Sequence, residues 1–252
     1  MHHNFKEVLM IRVTLVALFL VLYFIIFLPV MLVEFILRKF NMRASVTSSQ
    51  ALVRVSFRLV LKLTGTKLTV KGLNNIPKDT AVLFVSNHRS LADIPVAYST
   101  LPVNTGFIAK KEMEKIPGLS WWMRLLNCQF LDRDNVKEGM KTVLKGIELI
   151  KDGYSIFVAP EGTRSKTEEM LPFKEGSLKM AEKTGCPIIP VALSNTDAVF
   201  EKQFPRVKKA HVVIEYCQPV YPNELDKEQR RHLGAYVQEI IRDTLEENKK
   251  LI

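Results

Sequence analysis

Two short polar stretches carry side chains suited to acid–base and anion chemistry. The first reads Asn87-His88-Arg89-Ser90-Leu91-Ala92-Asp93, directly after the apolar run Ala81–Ser86. A neutral imidazole held by a carboxylate can take the proton from a hydroxyl, and a strand-to-helix turn can bring residues five apart into contact. On one continuous helix they would stand about 140° apart. A second reading uses the same residues differently: Ser90 to Asp93 has capping-box spacing, with Asp93 serving the helix start and never meeting His88. The other stretch follows Ser155–Ala159 and reads Pro160-Glu161-Gly162-Thr163-Arg164-Ser165, with Pro172-Phe173-Lys174-Glu175-Gly176 a few residues on. Gly162 lets the backbone approach a ligand, Arg164 and Lys174 can hold a phosphate, and Glu161 can accept hydroxyl hydrogens. Two more cations, Lys110 and Arg133, stand at the ends of other apolar runs.

These residues need a frame that brings strand ends together. From Lys67 onward, short apolar runs alternate with amphipathic stretches. The pattern predicts strands at Lys67–Val70, Ala81–Ser86, Thr105–Ala109, Gln129–Leu131, Ser155–Ala159, Ile188–Leu193 and Val212–Tyr216. It predicts helices at Ala92–Thr100, Leu119–Leu126, Val136–Lys151, Glu175–Lys183 and Glu224–Asn248. Such alternation implies an α/β fold with a largely parallel sheet flanked by helices, in which ligands gather at the carboxyl ends of strands.

Ahead of this lies a different segment. The formal net charge of +10 is concentrated at residues 1–78, which hold eleven basic and two acidic side chains. Val13–Val33 is a run of 21 uncharged residues; as a helix it would measure about 30 Å, near the hydrocarbon thickness of a bilayer. Pro29 is expected to kink it or begin its exit. The stretch is too long, and followed by Arg38-Lys39-Phe40 rather than small residues, to resemble a cleaved signal. In residues 48–64, Arg54, Arg58 and Lys62 recur every four residues on an otherwise apolar helix, with Gly65 as its stop. Such a helix can lie at a lipid interface with its cations among phosphates, or pack in a core with them facing water. The expected organisation is therefore a helical membrane anchor at 1–65 (hydrophobic helix 13–33, basic amphipathic helix 48–64) and a catalytic domain at 66–252. The positive-inside bias puts that domain on the cytoplasmic side of the cell membrane. Hydropathy leaves open whether 13–33 spans or enters one leaflet. A segment built around so long an apolar run excludes nucleic acid as its partner.

Other classes lack their signatures. There is no GxSxG elbow, Walker loop, strand-following GxGxxG or HExxH. Cys128, Cys186 and Cys217 are far apart and form no CxxC pair. His211 sits inside an apolar run and reads as structural, and His2 and His3 belong to no motif.

Four blocks, in order over roughly residues 66–215, resemble the glycerolipid acyltransferases, most nearly the 1-acyl-sn-glycerol-3-phosphate acyltransferases. They are Asn87-His88 through Asp93; Gly106 to Glu112 with Phe130-Leu131-Asp132-Arg133; Pro160 to Ser165; and Ile189-Pro190-Val191-Ala192-Leu193. One departure is Ala159, where that family usually has Phe. The resemblance implies direct acyl transfer from acyl-CoA or acyl carrier protein to the sn-2 hydroxyl of lysophosphatidic acid, giving phosphatidic acid. It implies no cofactor and no metal. His88 would be the base and Asp93 its orienting carboxylate, with backbone N–H groups near the motif meeting the oxyanion. Arg164, Lys110, Arg133 and Lys174 would bind the acceptor phosphate, and Glu161, Gly162 and Thr163 would shape its site. A sibling enzyme acting on glycerol 3-phosphate or another lysophospholipid, or a non-catalytic membrane lipid-binding protein, are the competing readings.

Overall fold

The computed structural model describes residues 2–252, with side chains from Ile11 onward, so His2 and His3 lie outside the described side chains. Three helices come first: α1 (His2–Ile26), α2 (Leu28–Phe40) and α3 (Met42–Thr64). There follow β1 (Lys67–Lys71), β2 (Leu83–Ser86), α4 (Asp93–Thr100), β3 (Thr105–Lys110), α5 (Leu119–Leu125), β4 (Gln129–Leu131), α6 (Val136–Lys151) and β5 (Ser155–Val158). The chain closes with α7 (Lys179–Thr184), β6 (Ile188–Ser194), β7 (His211–Tyr216), α8 (Lys227–Arg231) and α9 (Leu233–Asn248).

All seven expected strands form one sheet, in the order β1-β7-β6-β2-β5-β3-β4. It is parallel except where β6 meets β7. The carboxyl ends of β6, β2, β5, β3 and β4 therefore share one edge. Two expected helices are broken: the stretch 175–183 starts as a 3₁₀ turn before α7, and 224–248 divides at His232 into α8 and α9.

Strands at the centre are covered on both sides, which is why they read as unbroken apolar runs. On one face Phe84, Phe107 and Phe157 stack, with ring centroids 4.4 Å apart for Phe107–Phe157 and 5.9 Å for Phe84–Phe157. Tyr23, Met31, Val53, Leu61, Tyr98 and Trp122 belong to the same cluster. Leu83, Val85, Ile156 and Ile188 face the other way, onto Ile150, Met180 and Val237.

This core corrects one expectation for the N-terminal segment, a continuous helix over 13–33. No single helix among the described residues is long and apolar enough to cross a membrane. The run 13–33 is broken at Phe27, and Ile11–Ile26 and Leu28–Phe40 meet at a 52° bend. Pro29 lies in the first turn of α2, where its missing N–H costs nothing. Residues of α1, α2 and α3 share the apolar cluster with the sheet. The α3 stripe is corrected too. Arg54 Nη2 donates to the Leu101 carbonyl at 2.6 Å and Arg58 Nε to the Ser99 carbonyl at 3.0 Å. Both satisfy carbonyls at the end of α4, where a helix leaves acceptors unpaired and concentrates negative partial charge. Lys62 is exposed, and Gly65, at φ 74°, stops α3 as expected.

Candidate active site

The site begins where β2 ends. Asn87 is buried and pins its turn to β6, donating Nδ2–H to the Leu193 carbonyl at 3.0 Å and accepting the Leu193 amide at 2.9 Å. His88 comes next, and its Nδ1 lies 2.7 Å from Asp93 Oδ2. That oxygen also accepts the amides of Arg89 at 2.9 Å and Ser90 at 3.0 Å. Asp93 thus meets His88 and orders the turn at once, and Ala92, the residue before α4, makes no side-chain cap. The Asp93 side chain is 4% exposed and that of His88 22%. With Nδ1–H donated to the carboxylate, Nε2 is the basic nitrogen left for a substrate.

Beside β2 runs β5, so Pro160–Ser165 lies next to His88. The Ser165 amide donates to the His88 carbonyl at 2.9 Å. Glu161 is buried, at 3% exposure. Its Oε1 accepts the His88 amide at 2.7 Å and its Oε2 the Leu171 amide at 2.8 Å. Burial pushes its carboxyl above the usual range, and the two amide bonds work against that shift. Glu161 is therefore a brace under His88, with one amide on each carboxylate oxygen. Gly162 has φ 74°, and a Cβ there would lie 3.0 Å from Lys174 Nζ. Thr163 is exposed on the same turn. Arg164 follows, its Nη1 2.9 Å from Glu201 Oε1.

The other two cations are farther along the edge. Lys110 ends β3, two strands from β2 and so roughly 10 Å across; it is exposed and paired with Glu112 at 2.7 Å. Arg133 follows β4, a further strand out at about 14 Å. The structure thus gathers His88, Asp93, Glu161, Gly162, Arg164 and Lys174, and leaves Lys110 and Arg133 at the rim. The amides of residues 88–91 are all taken by carboxylates of Glu161, Asp93 and Glu201, so none is free for the expected oxyanion.

Sequence reasoning missed the connection from β6 to β7. Glu201 accepts Ser90 Oγ at 2.6 Å and the Leu91 amide at 2.7 Å, besides Arg164. Asp197 receives Arg89 Nη2 at 2.8 Å, with Lys202 at 3.3 Å. No local pattern marks either acid, because the Arg89, Ser90 and Leu91 groups they hold are more than a hundred residues away in the chain.

A carboxylate-held imidazole at a strand's carboxyl end, beside a glycine turn bearing an arginine, defines a site for proton removal from a substrate that carries an anion. The acyltransferase family profile matches residues 67–194, and the chain belongs to that family. It is 32% identical over 199 residues to a 1-acyl-sn-glycerol-3-phosphate acyltransferase of Cocos nucifera, covering 78% of this chain and 63% of that protein. Its counterpart in Saccharomyces cerevisiae is 31% identical over 197 residues, covering 77% and 65%. The chain thus spans under two thirds of the length of these relatives. Over the whole fold it is similar to the crystal structure of the 1-acyl-sn-glycerophosphate (LPA) acyltransferase PlsC from Thermotoga maritima, with a TM-score of 0.83, 29% identity and 97% of each chain covered.

Proposed function

We propose that the protein transfers an acyl chain from a thioester to the free sn-2 hydroxyl of lysophosphatidic acid, giving phosphatidic acid. The observation that carries this reading is the 2.7 Å contact of His88 Nδ1 with buried Asp93, which leaves Nε2 as a base. His88 Nε2 takes the hydroxyl proton as the oxygen attacks the thioester carbonyl. The carbon–sulfur bond breaks, and the proton passes to the departing thiolate. An alcohol and a thioester become an ester and a thiol, so the reaction balances without metal or prosthetic group. Asp93 stabilises the imidazolium formed on the way.

Arg164 and Lys174, beside the Gly162 turn, are the phosphate ligands that the geometry supports best, with Lys110 and Arg133 meeting more distant parts of either substrate. The names of the similar proteins support lysophosphatidic acid as acceptor. The donor is acyl-CoA or acyl carrier protein.

We propose further, from the basic excess at residues 1–78, that the protein works at the cytoplasmic face of the cell membrane. Leu18, Val21, Leu22 and Ile25 of α1 and Leu28, Leu32, Ile36 and Phe40 of α2 are exposed apolar stripes, and the 52° bend suits entry into one leaflet. Docked there, the enzyme takes an amphiphilic acceptor without moving its chain through water, which costs roughly 0.8 kcal/mol per CH₂.

The test is product analysis with purified protein given lysophosphatidic acid and a panel of acyl-CoA and acyl-carrier thioesters. Wild type is expected to form phosphatidic acid and His88→Ala to form almost none while remaining folded. Sustained turnover by His88→Ala would sink the mechanism.

A further inference from the structure

Glu201 lies in a 3₁₀ turn within the β6–β7 connection, outside all four sequence blocks that resemble known enzymes. It holds two parts of the site together. Its Oε2 accepts Ser90 Oγ at 2.6 Å, and its Oε1 accepts both the Leu91 amide at 2.7 Å and Arg164 Nη1 at 2.9 Å. Ser90 and Leu91 stand between His88 and Asp93, whereas Arg164 belongs to the neighbouring turn after β5. Apart from this carboxylate, no other side chain among the described residues makes an ion pair with Arg164.

A guanidinium has five N–H donors in a rigid plane, and Glu201 engages only one of its nitrogens. The rest remain available while the plane is fixed. A free arginine at this exposure would sample many rotamers and would have to be ordered by the ligand itself.

We infer that Glu201 is a positioning residue for the acceptor: it aims Arg164 and ties it to the His88–Asp93 turn. The phosphate held by Arg164 and the hydroxyl facing His88 are thereby kept at a constant separation. This rests on the reading of Arg164 as a phosphate ligand, and the test separates the two claims.

Steady-state kinetics are measured with lysophosphatidic acid varied against saturating acyl-CoA, and then with acyl-CoA varied, for Glu201→Ala, Glu201→Gln, Arg164→Ala and the Arg164→Ala/Glu201→Ala double variant. Thermal unfolding is followed alongside. Loss of a charge-assisted contact should raise the acceptor KM of Glu201→Ala about tenfold or more, with the donor KM within about twofold. Glu201→Gln can keep one oxygen for the Leu91 amide and Arg164, turns its NH₂ toward Ser90 Oγ and loses the negative charge beside Arg164, so it should fall between. Because Glu201 acts through Arg164, its removal in the Arg164→Ala background should add less than about threefold. A full additive increase in that background would overturn the inference. So would an unchanged or lowered acceptor KM in Glu201→Gln, or a parallel rise in both KM values together with a fall in melting temperature. If Arg164→Ala itself leaves the acceptor KM unchanged, both claims fall; if it raises KM and the Glu201 variants do not, only the role of Glu201 falls.

Discussion

Asp93→Asn separates the two tasks of one oxygen. Asp93 Oδ2 accepts the His88 ring N–H and the amides of Arg89 and Ser90. An asparagine oxygen in the same place can keep both amide bonds, so the turn should survive. The negative charge does not. Unit charges about 4 Å apart interact by about 4 kcal/mol at an effective dielectric of about 20. With a 4% exposed carboxylate, solvent and salt screen this little. At 1.36 kcal/mol per decade, losing that stabilisation of the imidazolium slows the reaction by about 10³. Partial proton transfer in the transition state and residual amide bonding spread the expectation over roughly 10²–10⁴. The assay is steady-state acyl transfer to detergent-dispersed lysophosphatidic acid, with thermal unfolding of the same preparation. The loss should fall on kcat, with the acceptor KM within about threefold and melting lowered by only a few degrees. A kcat within about tenfold of wild type in the folded variant would refute the role given to Asp93.

The remaining predictions concern the frame. Changing Arg54, Arg58 and Lys62 together to Glu should destabilise the fold by about 2–4 kcal/mol, since two charge-assisted bonds to the end of α4 are lost. Activity should then fall equally on vesicles and in detergent; a loss confined to vesicles would return these cations to the lipid. Glu161→Gln must turn an NH₂ toward one of two buried amides and should cost about 1–3 kcal/mol, read by chemical denaturation at pH 4. The folded carboxyl titrates above its unfolded value, so the native state binds more protons and wild-type stability falls relative to the variant as pH rises from about 4. A gap that widens with pH would contradict the burial. Gly162→Ala should cost about 1–2 kcal/mol from its left-handed φ of 74° and displace Lys174, lowering acceptor affinity; unchanged stability and KM would show that the turn relaxes freely.

Sequence alone determined the seven strands, most of the helices and the polar residues at the strand ends, because period and apolar content are local properties that burial on both faces of a sheet reinforces. It even placed His88 and Asp93 at a spacing open to two readings. Tertiary structure decided between them by folding a strand-to-helix turn around one carboxylate oxygen. It also showed what each charge is for. Arg54 and Arg58 form a stripe that fits lipid phosphate as well as helix carbonyls, and only the packing of α3 against α4 selects the carbonyls. Val136, Met140 and Leu144 keep helical spacing with Val143, Ile147 and Ile150, yet the first three are exposed, since periodicity finds a helix without saying how wide a face is covered. Glu161 is a brace and Glu201 a clamp because of partners 73 and 111 residues away, respectively. Hydrogen bonds of that range leave no trace in a local pattern, and they exist only once strand order has brought the ends of β2, β5 and β6 side by side.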